Sequence, residues 1–502
     1  MASDRREDAP LAPLDLDLDT FRSLGHAAVD AIADFYADLG QRRVFPGVTP
    51  AEVRARFDEA LPDEGHDPRD SLSDFFERVL PLCTHNTHPR FFGYIMSGGN
   101  HIGVLAELLA ATVNQNCAKW DISPAAAELE QVTLRWLAEF IGYPTSCDGI
   151  LTSGGSMANL TCLAVARAMK AGGDVRSEGV AAAPAPLVGY ASTEVHSCHD
   201  KAFELMGLGR SALRKIPVDD DYRIDVAALE RNLQEDKQQG LRPFLVIANA
   251  GTVNTGAVDP IQPLLEVSQG HDLWLHVDGA YGALAAASTQ VNSLFAGLDQ
   301  ADSVALDPHK WLSIPFDVGC SLIRNPSALR DTHSLIPAYL RKEEEDGAWE
   351  AHERHFTLSR SFRALKIWMS LRTFGRGRFV RSIESNIDLA RHLSQVVQEA
   401  PDFELLAPVP LSIVCFRYVP PDAPRDGTRD EWLNRLNASL ADALLADGRA
   451  FLSRTTLKGK LALRACILNH RTSPADIDIL FHTLRELGQA IDRTDLHLVG
   501  KE

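Results

Sequence analysis

The sequence predicts an α/β protein: a mostly parallel central sheet with helices on both faces, a helical arm before it and a small α+β unit after it. Three observations predict this. The runs PLVGYAS, FLVIANAG, LWLHVDGA and GCSLIRN are short, continuously apolar and bounded by turn residues, the pattern of strands buried on both faces. Long helical patterns at 103–114, 125–141 and 156–171 alternate with such runs, as they do around a parallel sheet. The helical patterns nearest the N-terminus precede any strand-like run.

In chain order, residues 1–15 are acidic, contain proline and read as frayed. FRSLGHAAVDAIADFYADL, PAEVRARFDEAL and SLSDFFERVLPLC place apolar residues at helical spacing. They form an arm or docking segment, residues 1–89. The sheet-bearing domain takes residues 90–385, with AGGDVRSEGVAAAPAP (171–186) as a loop. Residues 386–502 form the smaller domain, where helices alternate with LSIVCFRYV and KLALRACIL.

Composition excludes some functions. The chain has 502 residues, 45% hydrophobic and 24% charged, enough for two or three domains. A net charge of −18 disfavours nucleic-acid or anionic-membrane partners, which need a basic face. The start MASDRREDAPLAP has no apolar signal core, and the longest apolar run, GVLAELLAATV, contains Glu107 and is too short to span a bilayer. Cys83, Cys117, Cys147, Cys162, Cys198, Cys320, Cys415 and Cys466 form no CxxC pair, so reduced thiols and a cytoplasmic location are expected. No GxGxxG turn opens a βαβ unit, which sets aside a nicotinamide dehydrogenase. Cys83, His85 and His88 have metal-like spacing, but without a second ligand cluster they read as helix-end packing and no metal is expected.

Parallel sheets bind ligands at the carboxyl ends of their strands, so the residues after each run carry the chemistry. After GILTS, Gly154, Gly155 and Ser156 open a helix. The amides of Gly155, Ser156 and Met157 would point out of its start and suit a phosphate, or Ser156 is a plain N-cap. Asp278 follows LWLHV; it is a turn residue, or a carboxylate that keeps a heterocyclic nitrogen protonated. Ala280 is small enough for a flat ring to lie against. His196 follows YASTEV and could stack on that ring or sit in the core as a bonded imidazole. Lys310, in DPHKW, stands among apolar segments, where an amine of lowered pKa is a nucleophile toward aldehydes. Phosphate cradle, strand-end carboxylate, stackable imidazole and desolvated amine are together what pyridoxal phosphate requires.

In the order TSGGS, EVHS, HVDGAYG and DPHKW, the chain resembles the group II pyridoxal-phosphate amino-acid decarboxylases, which include enzymes for aromatic amino acids, histidine, glutamate and cysteine sulfinate. HPRFFGY (88–94), WDISPAAAELE (120–130) and SRSFRALKIW (359–368) also resemble family segments. The resemblance implies fold type I, the aspartate-aminotransferase-like fold. It also implies an arm that wraps a partner and a homodimer with active sites at the interface.

The resemblance further implies that Lys310 binds the cofactor covalently, that Asp278 pairs with its ring nitrogen, and that His196 and Ala280 flank the ring. Gly155 and Ser156 match the phosphate loop, Thr252 a threonine near the cofactor, and His309 the histidine before the lysine. Asp307 stands where aromatic decarboxylases often carry Asn. Tyr94, Met96, Ser97, Asn116, Ala118, Trp120, Ser359 and Arg464 match pocket segments. Asn116 and Ala118 stand where aromatic-substrate enzymes usually present Ile and Phe.

The implied reaction removes carbon dioxide from an L-amino acid, aromatic by first choice, and returns a proton to Cα. LIPAYLRKEEEDG (335–347) resembles the family's mobile loop, and Tyr339 would bring its phenol over the site from the neighbouring subunit; otherwise it is a surface tyrosine. Relatives with Phe at the Tyr339 position or Asn at the His196 position tend toward aldehyde formation, and this chain has neither change. An aldehyde synthase, a decarboxylase of acidic or other small amino acids, and a non-catalytic partner-binding homologue are the alternatives.

Overall fold

A computed structural model describes residues 14–335 and 348–491. Seven strands form the central sheet, in the order Asp148–Thr152, Gly319–Ile323, Ser303–Leu306, Trp274–Asp278, Arg242–Asn249, Leu187–Ser192, Leu213–Ile216. Gly319–Ile323 is antiparallel to both its neighbours, and the pairings on the far side are parallel. Every residue of Leu187–Ser192, Trp274–Asp278 and Ser303–Leu306 is buried, as their continuous apolar patterns predict. Side chains alternate across a strand, so Val246 and Ala248 enter one core while Leu245 and Ile247 enter the core on the opposite face. Helix Gly155–Lys170 covers that second face with Cys162, Leu163, Val165 and Ala166.

The helices expected at 103–114, 125–141 and 156–171 run His101–Val113, Pro124–Phe140 and Gly155–Lys170. Asn100 accepts the Gly103 amide at the first start, and Asn114 ends that helix in the left-handed region. Segment 171–186 carries one short helical turn, Val180–Ala182.

A second sheet of five strands is ordered Phe91–Phe92, Phe451–Leu457, Lys460–Cys466, Ile413–Tyr418, Phe403–Leu405. Phe91–Phe92 pairs parallel with Phe451–Leu452, so chain from the start of the predicted central domain joins the C-terminal sheet. Its own core gathers Phe416, Trp432, Leu436 and Leu480. Helix Arg363–Glu399 crosses residue 385 and is interrupted at Gly375, where φ is 69°.

The N-terminal helices are Leu18–Asp38, Pro50–Phe57 and Pro68–Asp74. Asp17 caps the first, and Thr49 with Glu52 forms a capping box at the second. The first helix buries none of its residues and leaves Leu18 and Phe21 in solvent. Among the described residues no helix is long and apolar enough to cross a membrane. All eight cysteines are free.

Candidate active site

The carboxyl ends of the central strands surround a cavity of about 450 Å³. Met96, Gly155, Ser156, His196, Asp278, Ala280, His309 and Lys310 line it. Residues spread over more than two hundred positions therefore meet in one place.

The helix start at Gly154 and Gly155 depends on close approach. Gly154 has φ of 143° and caps the helix without a side chain. A Cβ on Gly155 would stand 2.7 Å from Asp307 Oδ2 and 3.0 Å from Ala280 Cβ; one on Gly319 would stand 2.5 Å from the Gly154 carbonyl carbon. Only glycine fits either position. Ser156 is the second helical residue and not the cap. The Met157 amide donates to Gly154 O at 3.1 Å, so this amide is spent inside the turn, and the cradle expected to use it is left with Gly155 and Ser156. The Gly155 and Ser156 amides, at the first two helical positions, have no partner within the helix.

Asp278 ends its strand with Oδ2 at 2.7 Å from His199 Nε2 and Oδ1 accepting the Ala280 amide at 3.2 Å. Burial pushes its carboxyl up, but the bond and the charge of His199 outweigh burial and hold it well below the usual range. Asp278 is thus both the turn acceptor and an ionised carboxylate. His196 Nδ1 accepts the Cys198 amide at 3.1 Å, which fixes the ring. A hydrogen bond with Cys198 raises the His196 pKa against burial.

Lys310 departs from expectation. Its Nζ lies 2.9 Å from Asp307 Oδ2. Burial pulls the amine down, yet the Asp307 charge and hydrogen bond outweigh it, and the pKa is raised. The predicted lowering fails because the carboxylate three residues earlier turns to the same side. His309 Nδ1 lies 2.7 Å from Val318 O, to which it can only donate, and its ring lies 4.3 Å from that of Phe316.

Other predicted residues are placed differently. Thr252 Oγ1 meets Thr255 Oγ1 at 3.0 Å inside its loop, and its neighbours Gly251 and Val253 line the cavity instead. Arg464 donates to the carbonyls of Val253 (2.8 Å) and Tyr94 (2.8 Å), bracing two wall segments from behind. Ser97 Oγ is held by Ser313 Oγ at 2.9 Å. Asn116 bonds the backbone of Leu358 and Arg360, the Ala118 carbonyl accepts the His352 amide, and Trp120 Nε1 donates to Glu128. Those three, with exposed Ser359 and with Tyr94, stand outside the lining of this chain's own cavity. Tyr339 lies outside the described residues. His88 Nδ1 accepts the Arg90 amide and His85 packs edge-on to Phe35, which is the packing role predicted for that segment.

His199, Cys198, Asn159 and His276 were not singled out in the sequence. His276 Nε2 meets Asn159 Oδ1 at 2.8 Å and Nδ1 meets Ser303 Oγ at 2.9 Å; burial lowers its pKa to about 3. The available signal was period two: His276 and Asp278 share one face of their strand.

Comparison with known proteins places the chain. The pyridoxal-dependent decarboxylase conserved domain matches residues 50–419. The chain belongs to the pyridoxal-dependent decarboxylases. It is 36% identical to an aromatic-L-amino-acid decarboxylase of Bacillus atrophaeus over 480 residues, 95% of this chain and 97% of that protein. It is 30% identical to a phenylacetaldehyde synthase of Petunia hybrida, covering 94% of each chain. A crystal structure of Oryza sativa TDC with PLP and tryptamine superposes with a TM-score of 0.89 at 28% identity, over 96% of this decarboxylase and 99% of that chain. The architecture is that of fold type I, and the protein is a pyridoxal-phosphate-dependent carboxy-lyase. Its cavity fits the cofactor: a helix start that any Cβ would obstruct, a strand-end carboxylate kept ionised, and a primary amine beside both.

Proposed function

We propose that this decarboxylase converts an aromatic L-amino acid into its amine and carbon dioxide, working as a homodimer. The observation that carries the substrate class is the cavity wall. Ile95, Met96, Val253 and Phe316 line the same cavity as Lys310, an apolar lining suited to a flat apolar side chain. The relative at 36% identity is named for decarboxylating aromatic L-amino acids, and the one at 30% for making an aromatic aldehyde.

Lys310 would hold the cofactor at its aldehyde carbon, Gly155 and Ser156 its phosphate, and His196 and Ala280 its two ring faces. When bound, the cofactor supplies an electron sink for the bond that breaks at Cα. Asp278 keeps a negative charge at the ring nitrogen. His196, locked by the Cys198 amide, keeps the substrate from turning away from the breaking geometry. Tyr339, a phenol that is protonated at neutral pH, returns a proton to Cα once carbon dioxide has left. Its loop would come from the second subunit.

The dimer is supported by apolar side chains left in solvent by one chain: Leu18 and Phe21 on the first helix, Leu105, Leu108 and Val113 on His101–Val113, and Phe356 and Leu358. A division into an arm (1–89), a cofactor domain (90–385) and a small domain (386–502) goes with this reading, as does a cytoplasmic location suggested by eight free thiols.

The test is release of carbon dioxide and amine from a panel of the common L-amino acids, DOPA, cysteine sulfinate and diaminobutyrate. Tryptophan, tyrosine, phenylalanine or DOPA should lead. Turnover confined to acidic or small substrates would overturn the substrate class, and equimolar aldehyde and ammonia in place of amine would assign aldehyde synthesis.

A further inference from the structure

A buried imidazole stands against the strand-end carboxylate of the site. His199 is fully buried one residue after Cys198, and its Nε2 lies 2.7 Å from Asp278 Oδ2. Its Nδ1 is buried without a hydrogen-bond acceptor. An imidazole nitrogen of His199, Cys198 Sγ and a carboxylate oxygen of Asp278 all lie within 4.8 Å of one another.

We propose that His199 is a positioning residue for the decarboxylation: its imidazolium grips Asp278 Oδ2, so that the carboxylate stays ionised and turns Oδ1 toward the cofactor's ring nitrogen. This rests on the assignment of Asp278 to that nitrogen. Burial alone disfavours a charged carboxylate, and an uncompensated buried charge is strongly unfavourable. His199 supplies the compensation at hydrogen-bond distance. Oδ1 takes the Ala280 amide at 3.2 Å, and a carboxylate oxygen has two lone pairs, so Oδ1 can accept a second donor.

The surroundings keep the proton on His199. From its own helix comes the Cys198 thiol, into which Asn159 Nδ2 donates at 3.7 Å. From the strand Trp274–Asp278 come Asp278 and His276, whose ring lies 6.1 Å away and is neutral. From Gly155–Lys170 comes Asn159, a neutral amide already bonded to His276. The two groups facing His199 that can carry negative charge are therefore Asp278 and Cys198, whose thiol pKa burial pushes up but the two neighbouring imidazoles lower to about 7. Burial lowers the imidazole, but Cys198 and Asp278 outweigh it and raise the pKa to about 10. Lys310 and His196 line the cavity with Asp278; Lys310 lowers the carboxyl pKa, and Asp278 raises that of His196.

The test compares parent, His199→Gln, His199→Leu and Asp278→Asn holoenzymes, reconstituted with pyridoxal phosphate labelled with nitrogen-15 in its ring. The readouts are the ring-nitrogen chemical shift, the cofactor Kd, and kcat and KM measured separately. In His199→Leu the shift should move toward the unprotonated value. Cofactor Kd should rise about tenfold, and kcat should fall at least about tenfold with little change in KM, the split expected when an interaction outside substrate binding is lost. His199→Gln keeps a donor without the charge and should fall between Leu and parent. If His199→Leu does not fold, His199→Gln decides alone, and a shift and Kd equal to the parent's overturn the proposal. If Asp278→Asn moves the shift while the His199 variants do not, the role of His199 is refuted and that of Asp278 stands. If Asp278→Asn leaves the shift in place, the assignment of Asp278 itself is wrong and the proposal falls with it.

Discussion

The two sheets of this decarboxylase treat charge in opposite ways. In the C-terminal sheet, the Arg417 side chain is 2% exposed, but its partners Glu404 (2.6 Å) and Asp430 (2.8 Å) are 36% and 54% exposed. Their charges end in water. At the carboxyl edge of the central sheet, Asp278 pairs with His199 and Asp307 with Lys310, and no side chain in these pairs is more than 18% exposed. Buried pairs of that kind are a poor source of stability, because desolvation offsets their attraction. Apolar groups could fill the same space, so their presence marks chemistry. The strand ends concentrate ionised groups where a cofactor can use them, and the Arg417 cluster of the C-terminal sheet ends its charges at the surface.

Substitutions that separate the two regions should therefore differ in what they damage. The largest effect is expected at Asp278. Asp278→Asn removes the carboxylate and strands the His199 imidazolium, and it should lower kcat by orders of magnitude with cofactor saturating. Near-parent turnover would break the contrast at its centre.

Tyr339→Phe should slow amine formation by about 10²–10⁴-fold, the usual contribution of a general acid. Aldehyde, ammonia and oxygen uptake should rise, and product analysis under air reads all three. Amine at the parent rate would move the proton to another donor, with His196 next.

Asp307→Asn should act in the opposite direction. The amine attacks an aldehyde only when neutral, so capture of pyridoxal phosphate by the cofactor-free protein should speed up as pH rises through the raised Lys310 value. Removing Asp307 removes the largest cause that raises it and leaves burial, which lowers it. The capture curve should then move to lower pH, with a gain of about tenfold at neutral pH per pK unit displaced. Absorbance-detected rates across pH check this, and an unmoved curve would mean that Asp307 does not control the amine.

The smallest effect belongs to the C-terminal sheet. Arg417→Met leaves Glu404 solvated and still bonded to Lys460 at 2.9 Å. It should cost about 1 kcal/mol of stability, as exposed pairs do, with kcat/KM unchanged. Denaturant unfolding and steady-state assays together test it.

Much of this contrast was legible in the sequence because local rules place it. Continuous apolar runs located three parallel strands and, in GCSLIRN, an antiparallel one, and strand ends located Asp278, Lys310 and His196. Two glycines before a helix located the helix start that lines the cavity. What the sequence hid was pairing across space. His199 reads as one more polar residue in HSCHD, since its partner lies 79 residues away. The raised amine of Lys310 was hidden for a different reason: Asp307 is only three positions earlier, but the direction of its side chain follows from the tight turn after its strand. Matching of segments assigned Asn116, Ala118 and Trp120 to the substrate pocket, and they sit on the connection between His101–Val113 and Pro124–Phe140. It could not reveal that their polar atoms are engaged away from the chain's own cavity, because side-chain direction in an irregular connection has no period to read.

The most direct measurement is the identity of the lysine that carries the cofactor. Holoenzyme reduced with borohydride and digested should yield one phosphopyridoxylated peptide, modified at Lys310, and the label should be absent from Lys310→Arg. Label on any other lysine of the parent protein would contradict the assignment of the cavity, and with it the roles of Asp278, His196 and His199.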